Sequence, residues 1–170
     1  MRKDSQGRLL YDQICEAKIF AEAITEHFDF ITCVPDSIFR NVLPHIPEWE
    51  YAPRENHAIS MGFGARIGGK NVAIMMQNSG LGLALDAILG TFELYQQGCL
   101  IVISNRGQLE WEEIQHQQWG KITEDLLRSS RIEQVRFHEI GPDGIGEIAK
   151  KIINDRKVVA LTMQRGNLNE

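Results

Sequence analysis

Two stretches of the chain carry residue types that could do chemistry. One is Glu55, an acid set directly after Pro53-Arg54 at the head of a helix-like run of small residues, Asn56 to Gly69. A carboxyl group partly desolvated at such a position holds its proton more readily, which suits proton sharing with a ligand. The same position also suits a first-turn acid that complements the helix dipole or pairs with Arg54. The other stretch is Gln77-Asn78-Ser79-Gly80-Leu81-Gly82. Gly80 and Gly82 would let the backbone come close to a planar or phosphorylated ligand. Asn78-Ser79 could equally do no more than cap the helix that follows.

These residues need a frame, and the hydrophobic pattern supplies one. Asn71 to Met76 and Cys99 to Ser104 are nearly unbroken apolar runs, as expected of strands buried on both faces of a parallel sheet. Further strands are expected at Phe28–Val34, at Val135–Ile140 and at Val158–Met163, with a short extended piece at Trp49–Ala52. Between them the apolar spacing predicts helices over Tyr11–Phe28, Asn56–Gly69, Leu81–Gln97, Ile122–Ser129 and Ile145–Asp155. Asp36-Ser37 can cap a further helix through Ile38, Phe39, Val42 and Leu43 until Pro44 and Pro47 end it. Strand, crossover helix and strand, repeated about six times, call for one α/β domain over residues 1–170: a doubly wound parallel sheet with helices on both faces. The Gln77–Gly82 turn then lies at the carboxyl end of a central strand, where such sheets bind ligands. Residues 1–10 read as a flexible N-terminus.

Composition narrows the function classes. The 170 residues are 43% hydrophobic with a formal net charge of -5. That balance leaves no basic stripe for nucleic acid. No apolar run approaches the ~20 residues needed to span a bilayer, and no apolar segment after Met1 marks a secretory signal. Cys15, Cys33 and Cys99 each sit in an apolar segment, as buried free thiols of a reducing cytoplasm do. Gly64 to Lys70 has the spacing of a phosphate-binding P-loop, but Asn71 replaces the hydroxyl residue and the strand-to-helix order is reversed. Gly62-Phe63-Gly64 lacks the third glycine and the preceding strand of a dinucleotide fingerprint.

Arg54-Glu55-Asn56 with Ala58, Gly62, Ala65 and Gly69-Lys70, followed by Met76-Gln77-Asn78-Ser79-Gly80-Leu81-Gly82, resembles the pyrimidine-binding domain of thiamine diphosphate decarboxylases. The likeness is nearest to the phosphonopyruvate and sulfopyruvate decarboxylase group. Val34-Pro35-Asp36-Ser37, Ile103-Ser104-Asn105-Arg106-Gly107, Gln115-His116 and Trp119-Gly120 extend it from about Phe30 to the end of the chain.

The resemblance implies a role for each part. Glu55 would bond the far ring nitrogen of the aminopyrimidine and favour the tautomer that activates the cofactor. Gln77, Asn78, Ser79, Gly80, Leu81 and Gly82 would bind the pyrimidine side. Asp36, Ser37, Arg106 and His116 would face the same crevice on loops and contact the substrate. Arg106 could fork to a phosphonate, sulfonate or carboxylate tail. The activity implied is loss of carbon dioxide from a short 2-oxo acid with an anionic tail, of the 3-phosphonopyruvate or 3-sulfopyruvate type. No Gly-Asp-Gly and Asn-Asn signature for Mg²⁺ and the diphosphate is present, so a separate diphosphate-binding subunit is implied, with two copies of each chain. Two other readings share these residues. A carboligase or transferase would use the same cofactor with a second carbonyl, and a catalytically silent domain would only regulate a thiamine enzyme.

Overall fold

The computed structural model describes residues 1–169. In chain order it begins with strands β1 (Arg2–Lys3) and β2 (Leu9–Leu10), helix α1 (Ala17–His27), and strands β3 (Phe30–Cys33) and β4 (Glu50–Tyr51). Helix α2 (Glu55–Ile67), strand β5 (Val72–Gln77), helix α3 (Leu81–Ile88) and strand β6 (Cys99–Asn105) follow. The remainder is α4 (Ile114–Ser129), β7 (Glu133–Arg136), α5 (Phe137–Ile140), α6 (Ile145–Asp155) and β8 (Val158–Gln164).

Six strands form one sheet in the order β4-β3-β5-β6-β8-β7, and every neighbouring pair is parallel. Alternation along the strands builds two cores. Cys33, Met75, Val102 and Leu161 face one way and pack with Phe20, Ile24, Phe39, Phe137 and Ile148. Ile74, Met76, Ile101, Ile103 and Ala160 face the other way and pack with Ile59, Leu81, Ile88, Phe92 and Leu127. Strands covered on both sides have no polar face to show, which is why β5 and β6 read as continuous apolar runs. The doubly wound parallel sheet is the architecture that the hydrophobic pattern calls for. Gly62 lets α2 settle onto it: a Cβ there would lie 2.8 Å from Ile74 Cδ1.

Several local expectations are corrected. Residues 2–10 form a hairpin, with Arg2 opposite Leu10, in place of a free tail. The Asp4 carboxylate accepts the N–H groups of Gln6 and Arg8 and so closes the turn. The hairpin is held from afar, because Trp111 Nε1 donates to the Leu9 carbonyl at 2.8 Å and the Arg8 guanidinium lies 4.3 Å from the Trp111 ring centroid. The expected helix after Ser37 is a series of turns ending in a 3-10 segment at Leu43–His45. Pro44 has no N–H to donate to Arg40, so the α-helical ladder cannot run through it. Helix α4 begins at Ile114, eight residues before the expected Ile122, and takes Gln115-His116 and Trp119-Gly120 into its first turns. The strand expected at Val135–Ile140 lies at Glu133–Arg136, and Phe137–Ile140 is helical.

Candidate active site

The chain leaves β3 for the edge strand β4 and returns to β5 on the other side of β3. That reversal makes the carboxyl ends of β3 and β5 the switch point of the sheet, where a crevice opens. Asp36 and Ser37 follow β3, Gln77 to Gly82 end β5 and open α3, Arg106 follows β6, and Glu55 begins α2 just after β4. The fold therefore brings every residue singled out from the sequence to one end of one sheet.

Glu55 and Gly80 form the tightest of these juxtapositions. A Cβ on residue 80 would lie 2.1 Å from Glu55 Cγ, 2.2 Å from Cδ and 2.3 Å from Oε1. The carboxyl group thus lies directly across a bare backbone, and Gly80 is needed to leave that room. Glu55 is half-buried, yet its carboxylate accepts no hydrogen bond and pairs with no cation among the described residues. Of the alternatives that the sequence left open, the ion pair with Arg54 is not made.

The neighbouring polar residues behave differently. Gln77 Nε2 donates to Ser79 Oγ at 2.6 Å, fixing the turn at the end of β5. Asn78 is fully buried and its amide is engaged within the protein. Its Nδ2 donates to Asn105 Oδ1, the Arg106 carbonyl and Thr123 Oγ1 at 2.9–3.1 Å, and its Oδ1 accepts the Arg106 N–H. Asn78 therefore ties the ends of β5 and β6 to α4.

Arg106 is likewise engaged within the protein. The side chain is 8% exposed, with Nε donating to Glu112 Oε1 at 2.8 Å and Nη1 to Asp36 Oδ2 at 3.2 Å and Ser37 Oγ at 2.8 Å. Two of its three guanidinium nitrogens are occupied internally, so it offers no open fork. Asp36 is equally engaged: its Oδ1 accepts the Ser104 hydroxyl and the Ile38 N–H. One guanidinium between two carboxylates leaves this cluster with a net charge of about -1.

Glu112 is the residue that sequence reasoning missed. Its side chain is 1% exposed. Besides Arg106, it accepts the backbone N–H groups of Gly107, Gln108 and Leu109 at 2.8–3.2 Å and so gathers the whole loop after β6. Within Glu110-Trp111-Glu112-Glu113 nothing in the residue types sets it apart from its neighbours. Gly107 (φ +82°) and Gly120 complete the fastening. A Cβ on Gly107 would lie 1.9 Å from the His116 carbonyl, and one on Gly120 would lie 2.3 Å from the Gly107 carbonyl. His116 sits in the first turn of α4, half-buried, and its Nδ1 is sealed from solvent without a hydrogen-bond partner among the described residues.

Beside Asp36 and Ser37 a cavity of about 510 Å³ opens against Leu43, Pro44 and Trp49, with Arg40 on its wall. Among the described residues no group of three or more His, Cys, Asp or Glu is arranged to hold a metal ion. The three cysteines are buried and unbridged. Burial pushes the Cys15 thiol up to about 11 and the Cys33 thiol to about 12, and it holds Cys99 well above the usual thiol range. They are structural thiols and not nucleophiles. Among the described residues no helix is long and apolar enough to cross a membrane.

No protein-family model matches the chain. Curated relatives do. It is 32% identical over 152 residues to the sulfopyruvate decarboxylase subunit alpha of Methanococcus maripaludis, covering 86% of this chain and 87% of the relative. It is 38% identical over 107 residues to the subunit of the same name from Methanocaldococcus jannaschii, covering 59% and 63%. Among solved structures, a 2-oxoglutarate:ferredoxin oxidoreductase from Magnetococcus marinus superposes with a TM-score of 0.60 at 15% identity. That match covers 86% of this chain and 28% of the oxidoreductase chain, and it bears on the fold alone. With the extent of the first match, the chain belongs to the family of sulfopyruvate decarboxylase alpha subunits.

Proposed function

We propose that the chain is the pyrimidine-holding subunit of a thiamine diphosphate-dependent 2-oxo acid decarboxylase whose substrate is a short acid with an anionic tail, 3-sulfopyruvate or 3-phosphonopyruvate. The observation that carries this reading is the Glu55 carboxylate, lying over Gly80 at the switch point of the sheet with no hydrogen-bond or ion-pair partner among the described residues. A structural glutamate would be satisfied by neighbours, as Glu112 is. Glu55 instead keeps its oxygens for a group that arrives from outside.

The residues present suit the cofactor. Gly80 leaves the room that the Glu55 carboxyl occupies, Gln77 and Ser79 are joined in the same turn, and Asn78 holds that turn from behind. Thiamine diphosphate, when bound, supplies an electron sink for the carbanion that loss of carbon dioxide would leave. The protein's part is to present the half-buried Glu55 carboxyl at the crevice, where it can hydrogen-bond a ring nitrogen of the cofactor. The subunit naming of the relatives supports a second chain. In this reading that chain holds Mg²⁺ and the diphosphate, and two copies of each subunit assemble.

The test uses the chain assembled with a partner that carries a Gly-Asp-Gly and Asn-Asn signature. Carbon dioxide release is followed from 3-sulfopyruvate, 3-phosphonopyruvate and pyruvate, beside deuterium exchange at the thiazolium carbon. Release from a tailed acid, with exchange lost in Glu55→Gln, is the expected result. An assembled complex that releases none from either tailed acid refutes the decarboxylase reading, and wild-type exchange in Glu55→Gln refutes the role of Glu55.

A further inference from the structure

We propose that Arg40 binds the anionic tail of the substrate, an inference that rests on the decarboxylase reading above. With Arg106 consumed by Asp36 and Glu112, the surroundings of Asp36 carry about one net negative charge, and a sulfonate or phosphonate arriving there is repelled unless another cation is present. Arg40 meets the requirement. It lies four residues beyond Asp36 on the turns that follow β3, it is exposed, and its guanidinium makes no hydrogen bond or ion pair with a described residue. Its side chain lines two adjoining concavities. One is the 510 Å³ cavity against Asp36 and Trp49, and the other is a 90 Å³ recess against Asn41; Ser37 lines both.

The immediate setting favours an incoming anion over an internal partner. Asp36, the carboxylate on the cavity wall, has both oxygens taken by Ser104, Ile38 and Arg106. The rest of the wall, Leu43, Pro44 and Trp49, brings no competing charge and excludes water from one side, which strengthens a charge contact. A guanidinium is also the right shape, because its planar fork matches two oxygens of a sulfonate or phosphonate. Arg106 then acts as a positioning residue that sets Asp36 and Ser37, and Arg40 meets the substrate.

The experiment compares wild type, Arg40→Lys and Arg40→Gln in the assembled, cofactor-loaded complex. Binding of sulfoacetate, which carries a sulfonate tail but no keto group to react, is measured by calorimetry beside kcat/KM for 3-sulfopyruvate and pyruvate. In Arg40→Gln, sulfoacetate affinity and kcat/KM for the tailed acid both fall about 100-fold, mainly through KM, with pyruvate turnover held within threefold. Arg40→Lys recovers part of the loss, since it keeps the charge without the fork. Sulfoacetate affinity changed less than threefold, or equal losses for both acids, overturns the assignment. A wild-type complex that binds sulfoacetate through Arg40 yet releases no carbon dioxide would sink the decarboxylase reading and leave the tail site standing. Because Arg40 is exposed and unpaired, an unchanged urea midpoint is expected in both variants.

Discussion

Glu112 and Glu55 stand at the same end of one sheet, and their surroundings are opposite. Glu112 is sealed in, with three backbone N–H groups and the Arg106 guanidinium on its two oxygens. Glu55 is half open, rests on a glycine and has no hydrogen-bond or ion-pair partner among the described residues. A carboxylate with every lone pair answered holds a loop in one shape and has nothing left for a ligand. A carboxylate left unanswered in a crevice costs stability and offers chemistry. The same division runs between the two arginines, Arg106 inside and Arg40 outside. On the proposed reading, saturation rather than residue type or proximity separates working groups from supporting ones.

Substitutions across this divide should move stability and activity in opposite order. Glu112→Ala should have the largest effect on folding, near 4 kcal/mol by urea denaturation, because it strands three N–H groups and half of a buried ion pair. Hydrogen exchange at Gly107, Gln108 and Leu109 should rise with it; protection unchanged in that loop would show that Glu112 does not hold it. Asn78→Ala comes next, at about 2–3 kcal/mol, since it leaves the Arg106 N–H and Thr123 without their partner. A cost under 1 kcal/mol would mean that the tie between β5, β6 and α4 is redundant.

Gly80→Ala should cost only about 1 kcal/mol, because the atoms in its way are the far end of a flexible side chain. Its effect falls on Glu55, which must swing aside, so cofactor activation in the assembled complex should drop at least tenfold with little change in the unfolding midpoint. Full activity in Gly80→Ala would show that the position of the carboxyl group is immaterial. Glu55→Gln closes the series, with a stability change within about 0.5 kcal/mol, as befits a group that makes no hydrogen bond or ion pair with a described residue. Destabilisation beyond 1.5 kcal/mol would place Glu55 among the supporting residues after all.

The sequence disclosed what depends on local pattern. The apolar runs of β5 and β6 call for a buried parallel sheet; the glycines of the β5 turn read as room for a ligand, and the space at Gly80 holds the Glu55 side chain. What stayed hidden depends on partners far away in the chain. The first turns of α4 carry glutamines and a glycine with no apolar stripe, and Gly120 looks like a helix breaker until the Gly107 carbonyl is placed 2.3 Å from where its Cβ would be. Arg106 presents as a free cation because Asp36 lies seventy residues away, and the N-terminal hairpin presents as a tail because Trp111 is a hundred residues off. Long-range pairing, not composition, decides such cases.

The cysteines give the molecule a clock. Cys15 pairs with Leu168 in an isolated bridge, Cys33 lies on β3 in the same core, and Cys99 starts β6 in the other core. With burial pushing its thiol up to about 12, Cys33 stays protonated at pH 8 even when a reagent can reach it. Alkylation of native protein must therefore wait for the structure around each sulfur to open and for the thiol to regain its ordinary acidity. The three labelling rates, read separately by mass spectrometry, time three opening events in an unmodified chain. With a partner subunit added, the thiol whose labelling slows most would mark the part of the fold that the partner steadies.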